Sequence, residues 1–257
     1  DGIARYIREE YDFDRRRSII ESDSAYSDDV WRQFSELGWL SIPFDESYGG
    51  FGGHADDLAG VMLELGKGLI IEPYMSTVVV FGSLLNASNN DSLKEQLIPR
   101  IINGQYKGSF AYAEEQSRFE ISDVKTSAQK CGDGYKLNGT KIAVIDAKES
   151  DGLIVTARTG GSQYGAEGIS LFLVDTSAEG VAVSSYNTMD SHSSSTINLE
   201  NVFVTEANLI VDEGEGFRHI ESCLPQILLC LSAEALGIME VLNRLTVEYS
   251  KTRKQFG

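Results

Sequence analysis

The 257-residue sequence contains few cysteines, prolines and histidines, and each shortage excludes a class of protein. The cysteines are Cys131, Cys223 and Cys230. An odd number of cysteines without CxxC spacing argues against a disulfide framework and is typical of a reducing compartment. The three histidines are scattered along the chain, so no metal site is expected. The sequence therefore predicts a cytoplasmic protein without disulfides or a resident metal.

Basic side chains are also scarce, since 22 lysines and arginines face 39 aspartates and glutamates, for a formal net charge of −17. This balance argues against broad binding to nucleic acid or to an anionic membrane surface. No uninterrupted apolar run approaches the roughly 18–20 residues that a membrane helix needs, so no membrane span is expected. A hydrophobic content of 42% is nevertheless enough for a folded core.

The first part of the chain, residues 1–105, has helical periodicity. Ser27 and two aspartates precede an amphipathic segment, which is the pattern of a capped helix start. Residues 56–69 repeat the pattern, and Asp91 is placed to cap a further helix that ends near Asn103. We therefore predict an N-terminal α-helical domain over residues 1–105.

From residue 106 to residue 212 the period changes to two. The hairpin signals Gly132-Asp133-Gly134 and Asn138-Gly139 separate short β-branched runs, and no helical segment lies between them. Without crossover helices the strands should pair antiparallel. This part is predicted to be a middle β domain, a barrel or a sandwich.

Helical periodicity returns over residues 213–257, where apolar residues form one stripe from Phe217 to Tyr249. Pro225 is expected to kink this helix or to mark a new start. Such a helix needs packing partners, and the chain begins without methionine, so we expect both ends to continue into a longer protein. The fold class predicted is α+β multidomain, with a helical domain, a β domain and the first helix of a truncated C-terminal bundle.

Two local patterns have simpler interpretations than the chemistry they suggest. Residues 50–55 match the dinucleotide motif GxGxxG/A, but they follow a loop and not a strand, so we interpret them as a glycine-rich loop before a helix. Glu114 and Glu115 are adjacent, so on a strand they would point to opposite faces and cannot form a ready acid–base pair. Most such carboxylates are expected to be solvated.

The order of helices, antiparallel strands and a long helix resembles the acyl-CoA dehydrogenase family, and several motifs agree with this resemblance. They are Tyr48-Gly49-Gly50-Phe51-Gly52-Gly53, the segment 110–115 at the family's T-E-P position, Tyr135-Lys136-Leu137-Asn138-Gly139-Thr140-Lys141, the strand 168–174, Gly214-Glu215-Gly216-Phe217 and Arg253-Lys254-Gln255-Phe256-Gly257. A narrower resemblance, to the small subunits of pimeloyl-CoA dehydrogenases, rests on residues 68–74 and 110–119.

The resemblance implies an FAD-dependent oxidoreductase that desaturates an acyl-CoA thioester and passes electrons to an external electron-transfer acceptor. A glutamate removes the α-proton in this family; it is expected in the C-terminal region missing from this chain, so no catalytic residue is assigned here. Hydrogen bonds to the thioester carbonyl stabilise the developing enolate, and the flavin performs the redox step. The implied assemblies are a homodimer, a homotetramer, or a heterotetramer with a large subunit.

The resemblance also assigns site residues by position. Those assigned to the cofactor are Phe110, Tyr112, Ala113, Phe119, Ala143, Ile145, Arg253, Gln255 and Phe256, and those assigned to the substrate are Arg118 and Phe119. Arg253 matches an arginine that reaches the FAD pyrophosphate of a neighbouring subunit, for which a guanidinium fork is suited. A helix C-terminal arginine paired with the helix dipole is the simpler alternative.

The sequence departs from the family pattern where the flavin ring would lie. Arg118 and Phe119 replace small residues, Ala143 replaces a tryptophan, and Ile145 replaces the hydroxyl residue that bonds the N5 edge of the flavin. Backbone amides around Tyr112 could still meet the ring. The departures support an alternative, a non-catalytic partner subunit that contributes to a neighbour's FAD site. A third possibility is a family relative with other chemistry, such as an acyl-CoA oxidase or a flavin monooxygenase.

Overall fold

The computed structural model describes residues 2–22, 24 and 26–255. The helices of its first part are α1 (Gly2–Glu10), α2 (Phe13–Ile20), α3 (Asp28–Glu36), α4 (Ala55–Gly68), α5 (Gly82–Asn86) and α6 (Asp91–Ile102). A π-helical segment, Met75–Phe81, leads directly into α5. The predicted helical domain is therefore present.

The helix starts follow the capping rules on which their prediction was based. The Ser27 side chain accepts a hydrogen bond from the Val30 amide at 3.4 Å, which caps α3 as predicted. The cap of α6 is Asn90, one residue before the aspartate that the sequence suggested. The Tyr6 and Trp39 rings pack edge to face with their centroids 5.3 Å apart, and both belong to the hydrophobic core of the helical domain.

The middle part of the chain forms one seven-stranded sheet with the strand order β1-β4-β2-β3-β7-β6 and with β5 added beside β4. The strands are β1 (Gly108–Ala111), β2 (Ser127–Cys131), β3 (Gly134–Ile145), β4 (Gly152–Arg158), β5 (Ile169–Asp175), β6 (Val181–Asn187) and β7 (Ser193–Thr205). Most pairs are antiparallel, but β1 runs parallel to β4, and β2 meets β4 in parallel at one residue pair. The predicted fold class is confirmed, with these two parallel pairings as the detail that periodicity missed.

The last helix, α7 (Gly216–Thr252), runs 37 residues and continues through Pro225. Of the two outcomes expected at this proline, a kink or a new start, the new start does not occur. The first turns of α7 contact α5, where His219 Nε2 lies 2.7 Å from the Leu84 carbonyl oxygen, and its middle packs on α4 around Glu234 and Gly237. A row of apolar side chains from residue 228 onward is exposed. Leu228, Leu229, Leu231, Leu236, Met239, Leu242, Leu245, Val247 and Tyr249 are all exposed.

By length and composition, α7 is also a helix that could cross a membrane. Its most apolar stretch has a mean hydropathy of 1.5, and 22% of that stretch is buried. The expectation of no membrane span was based on uninterrupted apolar runs, whereas this hydropathy is an average that tolerates polar residues. That expectation stays a prediction.

Two glycines allow α4 and α7 to approach closely. A Cβ atom on Gly66 would lie 2.3 Å from the carbonyl oxygen of Glu234, and a Cβ on Gly237 would lie 2.0 Å from that of Leu63. These contacts are with backbone, which cannot rotate away as a side chain can. The helix pair therefore depends on the absence of side chains at both positions.

Replacing Gly237 with alanine is expected to lower the free energy of unfolding by about 1–3 kcal/mol, the usual range for an overpacked interior. The matched control is Gly60→Ala, also in a helix, where an added Cβ meets nothing within 4 Å. That change should stabilise by up to about 1 kcal/mol through helix propensity. Urea unfolding of both variants measures the difference, and equal effects at the two positions would contradict the close packing.

Candidate functional site

A group of exposed and partly exposed apolar side chains lies where β1 and β3 end beside each other. The Ile142 amide donates to the Ala113 carbonyl oxygen at 2.9 Å and joins the two segments. The rings of Phe110 and Tyr112 are stacked with centroids 5.1 Å apart. Phe110, Tyr112, Ala143 and Ile145 are here called the apolar shelf. Tyr112 is 38% and Ile145 44% exposed, so both can offer apolar surface to a ligand.

The backbone of β3 is irregular at this point. Ala143 has a φ of +52°, in the left-handed region. The register of β3 against β7 shifts between Lys141 and Val144, which is the signature of a β-bulge. The bulge re-aims the end of β3, so that Ala143 and Ile145 are both exposed while Val144 between them is buried.

A buried ion pair fixes the backbone next to the apolar shelf. The Lys141 ammonium donates to Glu114 Oε1 at 2.7 Å, to Thr156 Oγ1 at 2.7 Å and to the Tyr112 carbonyl oxygen at 3.3 Å. Lys141 is fully buried and Glu114 is 3% exposed. The Glu114 carboxylate also accepts the Thr126 amide at 3.0 Å. These bonds fix the Tyr112–Glu114 segment that carries part of the shelf.

The charges of this pair depend on each other. Burial raises the pKa of Glu114, but the Lys141 ammonium and several hydrogen bonds outweigh it and bring that pKa to about 2. Burial lowers the pKa of Lys141 to about 8, against the opposing attraction of Glu114. Both groups are therefore ionised at neutral pH.

The expectation that most adjacent acidic pairs are solvated is wrong for Glu114. Glu115 is exposed, as expected, but Glu114 lies in the interior and is bonded to Lys141. The expectation that the two adjacent carboxylates point in different directions agrees with the structure, in which one is buried and the other exposed. Sequence adjacency could not show that one of them meets a buried lysine from β3.

A cavity of about 370 Å³ opens beside the shelf, between α4, the segment after it and α7. Ile145 lines the cavity as well as belonging to the shelf, so the two surfaces are continuous. The apolar walls include Met62 and Leu65 of α4, Met75 of the π-helical segment and Ile238 of α7. The volume lies in the range of small-molecule sites, roughly 300–1,000 Å³.

One wall of the cavity is polar and centred on His192. The imidazole Nδ1 lies 3.9 Å from Asp146 Oδ1, and Asp146 Oδ2 accepts from Ser76 Oγ at 2.6 Å. Asp190 accepts from the His192 amide at 3.3 Å and from the Thr188 hydroxyl. Burial lowers the pKa of His192, but Asp146 and Asp190 outweigh this effect, so the pKa is raised.

Two further carboxyl groups line the cavity, on different elements. Glu72 follows α4 and is 3% exposed. Burial raises the pKa of Glu72 to about 7, although hydrogen bonds from Tyr11 and from the Ser27 amide act in the opposite direction. Glu234 lies on α7, and burial raises its pKa too, against a smaller lowering by His192.

The structure places the remaining predicted site residues as follows. Ala113 lies partly buried next to the shelf, joined to Ile142 of β3. Phe119 is 99% exposed and Arg118 is exposed with a φ of +50°, so neither covers the shelf. Glycine adopts a left-handed φ most easily, which agrees with the small residue that the family pattern has at the Arg118 position.

The predicted residues of the chain end are not brought to the shelf of the same chain. Arg253 is exposed, and its guanidinium lies over the Tyr249 ring, 5.2 Å from the centroid. It lies about 22 Å further along the helix axis than Ile238, at 1.5 Å per residue. Gln255 is exposed, and Phe256 lies outside the described residues. A role of Arg253 toward a neighbouring subunit stays a prediction.

Sequence reasoning missed the polar groups of the cavity. Glu72 lies within one of the family-like segments and His192 is one of three scattered histidines, so no sequence pattern assigns either residue a role. A charged residue inside the apolar run 69–74 is a signal that could have indicated Glu72. Glu234 falls three residues after Leu231 and four before Ile238, which places it on the cavity face of α7.

Two family models match the chain. The model of the acyl-CoA dehydrogenase N-terminal domain matches residues 1–105, and that of the acyl-CoA dehydrogenase middle domain matches residues 109–202. The chain is 30% identical over 267 residues to a short-chain-specific acyl-CoA dehydrogenase of Megasphaera elsdenii, covering 98% of this chain and 69% of the relative. It is 31% identical over 243 residues to a probable acyl-CoA dehydrogenase, YngJ, of Bacillus subtilis, covering 93% of this chain.

Among solved structures, the FAD complex of PigA has a TM-score of 0.91 and 25% sequence identity, covering 100% of this chain and 68% of that one. The chain spans 64% of the length of the Bacillus relative. The similarity therefore includes both predicted domains and the start of the last helix.

Proposed function

Since this chain belongs to the acyl-CoA dehydrogenase family, we propose that it forms part of an FAD-dependent enzyme that desaturates an acyl-CoA thioester. One observation carries the proposal: Ile145 belongs both to the exposed apolar shelf and to the wall of the 370 Å³ cavity. A flat cofactor ring on the shelf and an acyl chain in the cavity would meet at this residue. The electrons would pass to an external electron-transfer acceptor.

The cofactor indicated by the family and by the FAD complex of PigA is FAD. The shelf fits one face of its ring system, because Tyr112, Ala143 and Ile145 are exposed and the Phe110 ring, stacked on Tyr112, adds partly buried aromatic surface. When bound, the flavin accepts the hydride from the acyl chain. The protein contributes the orientation of the ring, through the Lys141 bonds that fix the Tyr112 carbonyl. The base that removes the α-proton is proposed to lie outside these residues.

Few side chains near the shelf can form hydrogen bonds with the polar edge of a flavin ring. Ile145 and Phe119 have no hydroxyl group to donate, and Phe119 points fully into solvent. These two observations favour a second candidate, in which the chain is a non-catalytic partner of a larger subunit and contributes Arg253 to that subunit's FAD. The small-subunit role suggested by the pimeloyl-CoA dehydrogenase resemblance is this second candidate.

The apolar stripe of α7 supports association in either case. Leu242 and Leu245 are 57% and 51% exposed, and burying the exposed half of such side chains contributes about 1 kcal/mol each. We propose that further helices or another subunit cover this stripe, in a homo-oligomer or a heterotetramer.

Flavin retention by the purified full-length protein tests these alternatives. Expressed alone, the protein is expected to keep FAD through gel filtration. Ile145→Thr should strengthen FAD binding up to about tenfold, because a new hydrogen bond contributes about 0.5–1.5 kcal/mol. The matched control is Val183→Thr on the exposed strand β6, which should leave the affinity unchanged.

A different result supports the second candidate. In that case the protein alone is colourless, Ile145→Thr stays colourless, and flavin appears only when a partner subunit is co-expressed. Loss of that flavin in an Arg253→Ala complex would then place the arginine at the partner's cofactor. A protein without flavin under all these conditions contradicts both candidates.

A further inference from the structure

The polar wall of the cavity contains a carboxyl group with one oxygen that accepts no hydrogen bond. Glu72 is 3% exposed, and its Oε2 atom has no hydrogen-bond partner among the described residues. The carboxyl group is otherwise met by the Ser27 amide, which donates to Oε1 at 3.4 Å, and by the Tyr11 hydroxyl, which acts to lower its pKa. A buried carboxyl oxygen without a partner costs free energy, so it calls for an explanation such as an ordered water, an ion or a bound ligand.

A second carboxyl group lines the same cavity without a partner. Within the part of the chain that the structure describes, no hydrogen bond or ion pair involves the Glu234 side chain. Glu72 comes from the segment after α4 and Glu234 from α7, so the two face the cavity from different elements.

The cations near the cavity form no ion pair with these groups, although Arg15 attracts Glu72 and His192 attracts Glu234 at longer range. The Arg16 guanidinium donates to the carbonyl oxygens of Leu69 at 2.7 Å and of Asp190 at 2.9 Å, and not to a carboxylate. His192 lies beside Asp146, at 3.9 Å. The cavity wall thus carries an excess of carboxyl groups, and two of them form no ion pair with any residue that the structure describes.

A metal ion does not suit this arrangement. Among the described residues, no three His, Cys, Asp or Glu side chains come close enough to hold one. An organic cation needs no such tight ligand set, since an ammonium group has three N–H donors and can reach separated acceptors.

We propose that the cavity selects an acyl group that carries a cationic nitrogen, with Glu72 and Glu234 as the specificity-determining residues. This inference rests on the proposed function, because it takes the cavity as the site of the acyl chain. The ammonium group is held by charge-assisted hydrogen bonds to the Glu234 and Glu72 carboxylates, and the Glu72 side chain turns toward the cavity to bring its sealed Oε2 atom into reach. Apolar walls at Met62, Leu65 and Ile238 accommodate the methylene groups between the ammonium and the thioester.

The same charges disfavour a dicarboxylyl chain. A terminal carboxylate in this cavity would approach Glu72, Glu234, Asp146 and Asp190, and like charges at short distance repel. The cavity chemistry therefore does not support the dicarboxylyl-CoA substrate that the pimeloyl-CoA dehydrogenase resemblance suggests.

Equilibrium binding of matched thioesters to the purified full-length protein, in its native assembly, tests the inference. Aminohexanoyl-CoA, hexanoyl-CoA and adipoyl-CoA have equal chain length and end in an ammonium, a methyl and a carboxylate group. Calorimetric titration is expected to give aminohexanoyl-CoA about tenfold tighter binding than hexanoyl-CoA, the effect of one charge-assisted bond. Adipoyl-CoA should bind most weakly. Shorter and longer pairs are measured too, because the reach from the thioester to Glu72 sets which length responds.

Glu72→Gln and Glu234→Gln should each reduce the preference for the ammonium thioester, while the affinity for hexanoyl-CoA is kept and shows that the variants are folded. Glu248→Gln, on the exposed end of α7, is the matched control and should change nothing. A hexanoyl-CoA affinity equal to or above that of the ammonium thioesters overturns this inference alone. A preference that survives both substitutions also overturns it, and a failure of every thioester to bind overturns the proposed function with it.

Discussion

Lys141→Met is expected to lower the free energy of unfolding by about 3–5 kcal/mol, the cost of leaving one member of a buried ion pair alone. The ammonium is fully buried and holds Glu114, Thr156 and the Tyr112 carbonyl oxygen at 2.7, 2.7 and 3.3 Å. Methionine has a similar length, so the change removes the charge and the donors without leaving a large void. The Glu114 carboxylate would then remain charged in the interior, with only its amide partners and Gln116.

Chemical denaturation monitored by circular dichroism measures the loss. The matched control is Lys130→Met, in which the ion pair to Glu206 at 2.8 Å is more than half exposed and solvent screening leaves it little effect on stability. The double variant Lys141→Met/Glu114→Gln should recover part of the loss, because it removes the unpaired charge. Equal effects at positions 130 and 141 would show that the buried pair is not a major stabilising contact.

The same substitution should disturb the apolar shelf. Lys141 binds the carbonyl oxygen of Tyr112, whose ring stacks on Phe110. If the shelf holds the flavin ring, FAD affinity should fall in Lys141→Met even at temperatures where the protein stays folded. Lys130→Met should keep the wild-type affinity.

Glu72→Gln is expected to stabilise the protein by up to about 3 kcal/mol above neutral pH and to have little effect near pH 4. Burial raises the pKa of Glu72 from 4.5 to about 7. When the folded and unfolded pKa values of a group differ by one, the free energy of unfolding changes by about 1.4 kcal/mol. The folded state holds the proton more tightly than the unfolded state, so the contribution of this group is fully present below pH 4.5. It is lost as the pH rises from about 4.5 to about 7.

Unfolding free energies from pH 4 to pH 8, without thioester, test this dependence. The wild type should lose stability across the window relative to Glu72→Gln, and the difference between the two proteins should level off above the folded-state pKa. Glu95→Gln, at an exposed position on α6, is the control.

Other groups face Glu72 and must be counted in this comparison. Tyr11 and Arg15 act on it from the N-terminal helices, and Asp146, Asp190, His192 and Glu234 line the same cavity. The pKa of His192 is also raised, so its own contribution is lost as the pH rises through that value. Subtracting the Glu72→Gln curve removes most of this common part. A difference that stays constant with pH would contradict the buried state of the Glu72 carboxyl group.

Much of the local structure was determined by the sequence itself. The Ser27 cap, the helical period of residues 56–69 and the hairpin glycines near residue 133 depend on neighbours in the chain, and local rules suffice for them. The family motifs assign Ala143 and Ile145 to a cofactor surface; the structure has both residues exposed, and their cofactor role stays a prediction. Periodicity did not reveal the parallel pairing of β1 with β4, because a strand's own pattern does not specify which strand lies beside it.

Tertiary structure alone decided which charged groups are buried. Glu114 and Glu115 are indistinguishable in sequence, yet only Glu114 meets Lys141, because β3 passes beneath the segment that follows β1. Glu72, His192 and Glu234 face one cavity because the two glycines bring α7 against α4. Burial and pairing arise when elements that are distant in sequence pack together. The raised pKa of Glu72 and its carboxyl oxygen without a hydrogen-bond partner therefore exist only in the folded chain.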